Sequence, residues 1–332
     1  MRVAILGAGL CGLATATHFL SAKKTEDLEI VIFDPAPLGE NASGLSAGLF
    51  HPFPGAHAKL VRDGKEGQKA TLELVDVAER ASGEKIAKNT GLLRIAISQK
   101  QLEDFSHCAK QYEDVRWFGG EECQQLIPCL LPNPGIFIES AFVIQTKKYL
   151  GGLWKYCAAS GVRWEPTLVT TLKTLSDFDV IVVATGAAVK LLPELSHILI
   201  KPIKGQILEI EWPSFLPPLK VPLNSEAYLV MSLDKKKCFV GATFERSFDS
   251  AAPDMETART YLQPKMLSLI PGLEEAKILN CHSGLRAATP QHQPLLEQPL
   301  NGCWVFSGMG SKGLLYHALY AKKLVDKILF DS

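Results

Sequence analysis

The 332 residues carry 35 basic and 35 acidic side chains, a formal net charge of zero, and 47% of them are hydrophobic. That composition fits a large globular chain with room for two domains, and it gives no global attraction to nucleic acid or an anionic membrane. No apolar run reaches the ~18 residues that a bilayer span needs, and the eight cysteines include no C-x-x-C pair. Scattered thiols of this kind fit a reducing cytoplasm, so the sequence predicts neither a disulfide framework nor a metal site.

The chain opens on Arg2 to Leu6, a short β-rich run, followed by Gly7-Ala8-Gly9-Leu10-Cys11-Gly12 and a predicted helix from Leu13 to Leu20. Strand, G-x-G-x-x-G and helix in that order form a dinucleotide fingerprint. Its first glycine makes the turn, its second admits a pyrophosphate, and its third packs helix on strand. Amides at the helix start then face phosphate, with the helix dipole aiding. A second strand, Glu29 to Phe33, ends in Asp34, where a carboxylate accepts ribose hydroxyls. A strand this close to Met1 is read as part of the fold and not as a leader.

Further along, Ala42 to Pro52 is rich in Ala, Ser and Gly, with Ser43, Ala47 and Gly48 among them. Small residues in a row accommodate something flat against the backbone, or else make a flexible loop. Lys65 to Ser82 is an amphipathic helix, Gly91 to Ser98 an alternating strand, and Gln99 to Tyr112 a helix. A helix from Thr146 to Ser160 precedes short strands at Val162 to Glu165 and Leu168 to Thr170. The unbroken apolar run at Phe178 to Val183, ending in Thr185-Gly186, suits a parallel strand covered on both faces. Gln206 to Glu211, Ala227 to Met231 and Cys238 to Ala242 read as antiparallel sheet, and Thr257 to Leu269 as a helix. Small residues return at Gly284 to Pro290 and at Gly302 to Gly313, before a last helix from Leu314 to Phe330.

With GAGLCG and Asp34, the Ser43–Gly48 loop, VVATG, GLRAATP and GMGSKG in view, the chain resembles the FAD-dependent D-amino-acid oxidase / glycine oxidase superfamily over essentially its whole length. ASGLSAGLFHP, GATFE and GSKGL make it most similar to the oxidase modules of bifunctional enzymes that modify 5-carboxymethylaminomethyluridine in tRNA. The resemblance implies an α/β, Rossmann-like FAD domain of the glutathione-reductase type, assembled from residues 1–60, 141–200 and 281–332. A mainly antiparallel α+β substrate domain, from 61–140 and 201–280, covers the flavin.

In such folds Gly7, Gly9, Leu10, Cys11 and Gly12 meet the pyrophosphate, and Asp34 the adenosine ribose. Val169 offers backbone contacts to adenine, Thr185 and Gly186 lie near the phosphates, and Ser43, Ala47 and Gly48 line the flavin. Gly308, Gly310, Ser311, Lys312 and Gly313 aim helix-start amides at the flavin edge, where negative charge grows on reduction. Arg286 and Lys312 are the implied catalytic residues. Arg286 holds a substrate carboxylate in a fork-to-fork ion pair, unless it serves a structural carboxylate instead. Lys204 stands where an Arg is common, and Leu45 replaces the histidine that tethers FAD in some relatives, which implies non-covalent FAD. His51 is either a flavin-facing group or a hydrogen-bonded structural one. The resulting expectation is an FAD enzyme that oxidises the C–N bond of an amino acid, an N-substituted glycine or a modified tRNA uridine. The alternatives are an NAD-dependent dehydrogenase and a non-catalytic flavoprotein.

Overall fold

A computed structural model describes residues 1–22 and 27–330. Residues 23–26 and 331–332, which fall within the predicted first domain, lie outside the described residues. A six-stranded sheet runs in the order Leu295–Leu300, Cys303–Ser307, Val180–Val183, Arg2–Leu6, Glu29–Phe33, Arg163–Glu165. Its five last-named strands are parallel and the edge strand Leu295–Leu300 is antiparallel. Val182 and Val183 are fully buried at its centre, as an unbroken Val/Ile run requires.

Helix Leu10–Ser21 begins inside the glycine turn, three residues before the predicted start, and buries eight of its twelve residues. Thr15 and Thr17 hide their hydroxyls by donating to the carbonyls of Cys11 and Leu13 four residues back. Helices Gly64–Ser82, Thr146–Ala159 and Gly313–Phe330 complete this layer in one hydrophobic core.

Strands Ile278–Ala288, Lys201–Glu211, Lys237–Gly241, Tyr228–Met231, Leu223–Asn224, Leu92–Ile95, Gly135–Ile138 and Val115–Phe118 form a second, eight-stranded sheet in that order. It is antiparallel apart from the Leu223–Asn224 pairing with Leu92–Ile95. One face packs on helix Met255–Leu267 in a separate core. The outermost pair, Lys201–Glu211 and Ile278–Ala288, runs together along nearly its whole length with one irregularity at Glu209/Ile210.

Several expectations are corrected. Helix Gly64–Ser82 was assigned to the substrate domain, yet it packs on Thr146–Ala159 and Gly313–Phe330 beside the six-stranded sheet. An amphipathic stripe announces a buried face, not the surface that buries it. The boundary at residue 281 likewise fails, because Cys281 to Ala288 pair with Lys201 to Leu208 in the eight-stranded sheet. Leu168 to Thr170 is irregular chain and not a strand. The edge strand Leu295–Leu300 went unpredicted because Pro299 disguises it, and edge strands are where proline is tolerated.

His317, fully buried in the last helix, fixes a neutral tautomer. Its Nδ1 donates to the Gly313 carbonyl at 2.9 Å, so Nε2 accepts from the Tyr149 hydroxyl at 2.8 Å. Burial pulls its pKa down to about 4, below the ~6.5 of an unfolded histidine. Between those values the unfolded chain binds the extra proton, so stability falls as pH drops through that window, by about 2 kcal/mol at pH 5 from this residue. Denaturant melts at pH 7 and pH 5 will therefore show a smaller pH loss for His317→Asn than for the wild type.

Candidate active site

A cavity of about 740 Å³ lies between the two sheets. One wall is made by the carboxyl ends of the parallel strands: Gly7 to Cys11 after the first, Asp34 after the second, Thr185 and Gly186 after Val180–Val183, and Gly308 to Gly313 after Cys303–Ser307. Ligands of open parallel sheets sit at such ends. The small-residue loop at Ala42 to Gly48 forms another side, and Arg94, Asn224, Tyr228 and Arg286 of the eight-stranded sheet form the roof.

Of the residues singled out in the sequence, Gly7, Gly9, Leu10, Cys11, Asp34, Ser43, Ala47, Gly48, Val169, Thr185, Gly186, Gly308, Gly310, Ser311, Lys312, Gly313 and Arg286 all line this cavity. Gly12 does not. It lies against the first glycine of the turn, where a Cβ would stand 1.9 Å from the Gly7 carbonyl oxygen, so its part is packing helix on strand. Ser43 sits over the turn and accepts the Leu10 amide at 3.3 Å. The Asp34 carboxylate is fixed by the Ala8 amide at 2.8 Å and the Ala36 amide at 2.9 Å, leaving further lone pairs for hydroxyl donors. Burial pushes the Cys11 thiol up to about 12, so it stays protonated and unreactive.

Arg286 is half-buried on strand Ile278–Ala288. One guanidinium nitrogen donates to the Thr243 carbonyl at 3.0 Å, and the group lies 5.9 Å from the Phe244 ring. No carboxylate pairs with it among the described residues. Gly205 on the neighbouring strand makes room for it: a Cβ there would lie 2.3 Å from Nη2. Burial lowers the guanidinium pKa, while the Tyr228 phenol and Glu245 act in the other direction. Tyr228, which was not among the residues singled out in the sequence, also lines the cavity. Burial raises its phenol, which keeps the hydroxyl a donor close enough to feel Arg286. Its strand alternates, but the pattern does not say which face meets the cavity.

Lys312 faces the cavity with its ammonium occupied by the His292 carbonyl at 2.9 Å, and burial lowers its pKa. His51 also lines the cavity. It is 9% exposed, its Nδ1 has no hydrogen-bond partner, and burial with the nearby Arg94 charge brings its pKa down to about 3.

A crevice at the carboxyl ends of a parallel sheet, a glycine-cradled helix start and a covering antiparallel sheet together define a two-domain nucleotide-cofactor oxidoreductase. The family model for FAD dependent oxidoreductases (DAO) matches residues 2–327, and the chain belongs to that family. Its cofactor is therefore FAD, which answers the NAD alternative. The chain is 24% identical to the glycine oxidase of Bacillus licheniformis, with 98% of this chain and 92% of that protein covered. It is 25% identical to the tRNA 5-methylaminomethyl-2-thiouridine biosynthesis bifunctional protein MnmC of Polaromonas naphthalenivorans; 98% of the chain aligns, but it spans only 56% of that protein. The crystal structure of glycine oxidase from Geobacillus kaustophilus superposes with a TM-score of 0.84 at 21% identity, covering 98% of this chain and 94% of the other. That likeness confirms the α/β two-domain architecture. Among the described residues no helix is long and apolar enough to cross a membrane.

The cavity fits FAD on its own terms. The glycine cradle, the Asp34 acceptor and the start of the 18-residue last helix stand along one wall. Beside them, the buried Thr185 hydroxyl has no partner in the protein. A buried hydroxyl without a partner costs about 1–3 kcal/mol. Thr185→Val will raise the melting temperature of the apoprotein and weaken FAD retention about tenfold; fluorescence titration of apoprotein with FAD measures both sides of that trade.

Proposed function

We propose that the chain oxidises the C–N bond of an amino acid or N-substituted glycine, with non-covalent FAD as hydride acceptor. The observation that carries this is Arg286: a guanidinium inside the cofactor cavity, with no carboxylate partner among the described residues and a tyrosine hydroxyl beside it. A substrate carboxylate completes that arrangement, because a planar fork of donors matches its two oxygens.

FAD, held by the Gly7 to Cys11 turn, Asp34 and the Gly308 to Gly313 turn, would supply the two-electron acceptor for the carbon that carries the amine. The chain's own part is to position and polarise. Arg286 and Tyr228 hold the carboxylate, and Thr243 holds Arg286, so that the adjacent C–H is presented in one orientation. Gly308 to Gly313 bring the first turn of the last helix to the cavity, where its positive end favours the negative charge that develops on reduction.

A second reading, in which the amine is the carboxymethylaminomethyl group of a tRNA uridine, is favoured by the alignment of 98% of the chain with MnmC. Its charge support is thin. The Lys235-Lys236-Lys237 run lies in a hairpin turn, and Lys237 is paired to Glu209 at 2.7 Å. Glycine, sarcosine, proline and tRNA bearing the modified uridine, each mixed anaerobically with the yellow holoenzyme, will separate the two readings by which of them bleaches the flavin.

Arg286→Ala will keep the flavin spectrum and lose about 10²–10³-fold in kcat/KM on the best small substrate, the usual cost of removing one partner of a desolvated charge pair. Equal kcat/KM in both proteins refutes the carboxylate role. Gly205→Ala, which puts a methyl group where the guanidinium lies, will reproduce most of that loss through an altered KM.

A further inference from the structure

Arg94 sits on strand Leu92–Ile95, in a run whose alternating texture marks it as a surface residue, yet it is only 4% exposed and lines the cavity. Two of its nitrogens donate to the carbonyls of Phe53 at 2.6 Å and Gly55 at 2.5 Å, and its guanidinium stands 5.2 Å from the Phe105 ring. The buried Nε has no partner. No carboxylate pairs with Arg94 among the described residues. Among the described residues the Cys108 thiol acts on its charge, and burial raises that thiol to about 11 and so keeps it neutral.

The loop that Arg94 grips carries His51 two residues before Phe53. The unpartnered Nδ1 of His51 and the unpartnered Nε of Arg94 thus belong to two buried side chains that line one cavity. Carbonyl dipoles offset a buried charge only in part, and a buried cation ordinarily has an anionic partner.

We propose that Arg94 and His51 form a second anion subsite in the substrate cavity, which takes an acidic group at the far end of the amine's other substituent. The proposal rests on the amine-oxidation reading above and narrows its substrate to an N-substituted glycine with a carboxylate or phosphate tail. Arg286 and Arg94 lie on strands five places apart in the sheet order. At ~4.8 Å per step that is about 24 Å between backbones, a span that two long side chains shorten from both ends. Glycine reaches one site only. A substrate that reaches both carries a tail of several atoms.

The test is titration of the wild-type holoenzyme with alkanedioates of increasing length and with their monoamides, read by perturbation of the flavin absorbance band. One dioate length will bind at least tenfold more tightly than its monoamide, and His51→Leu and Arg94→Lys will each reduce that ratio several-fold. His51→Leu keeps the measurement informative if the Arg94 variant does not fold. Dioates and monoamides of equal affinity at every length overturn the subsite. Anaerobic bleaching of the same holoenzyme by glycine, sarcosine and N-(carboxyalkyl)glycines of matching tail length reports separately on the amine-oxidation reading. With bleaching and no dioate preference the subsite alone is lost; with dioate preference and no bleaching the subsite stands and the reaction is lost.

Discussion

One backbone bridge joins the two sides of the site. The Gly310 amide donates to the Ala287 carbonyl at 2.7 Å, and Ala288 forms an antiparallel bridge with Met309. Strand Ile278–Ala288 belongs to the roof and the turn at Met309 to the floor, so these contacts tie the two sheets at the point where the cavity is closed. Arg286 lies one residue from the first contact. Its distance from the helix start at Gly313 is therefore set by main chain, which has little freedom, and not by a flexible side-chain contact.

The neighbouring strand Lys201–Glu211 and the segment after strand Lys237–Gly241 keep the guanidinium in place without a carboxylate. Thr243 offers its carbonyl to Arg286, and its own hydroxyl donates to Glu245 at 2.5 Å. Glu245 also takes a bond from Gln206 and faces the nearly buried Lys204 at 4.0 Å. One carboxylate thus balances a buried ammonium and contributes to the field at Arg286 without occupying its fork. A direct ion pair there would occupy the guanidinium donors that now face the cavity.

Much of the floor was legible in the sequence because its chemistry is local. The GAGLCG turn, Asp34, the VVATG strand and the GMGSKG turn each follow directly on a parallel strand, so reading the strand places the residue. The roof was less legible. Tyr228 and Arg94 reach the cavity through sheet register and strand order, which are set by pairings with segments tens of residues away. Arg94 shows the difficulty best: an arginine in an alternating run suggests a wet face, and only the loop at Phe53 to Gly55 wraps it. Helix Gly64–Ser82 went to the wrong layer for a similar reason, since its partners are the Thr146–Ala159 helix and the far end of the chain.

The cavity takes Gly7 to Cys11 from one end of the chain and Ser307 to Leu315 from the other. No single contiguous half of the sequence therefore encloses the cofactor: a fragment with the glycine cradle but without Ser307 to Leu315 lacks the helix start, and one with the helix start alone lacks the cradle.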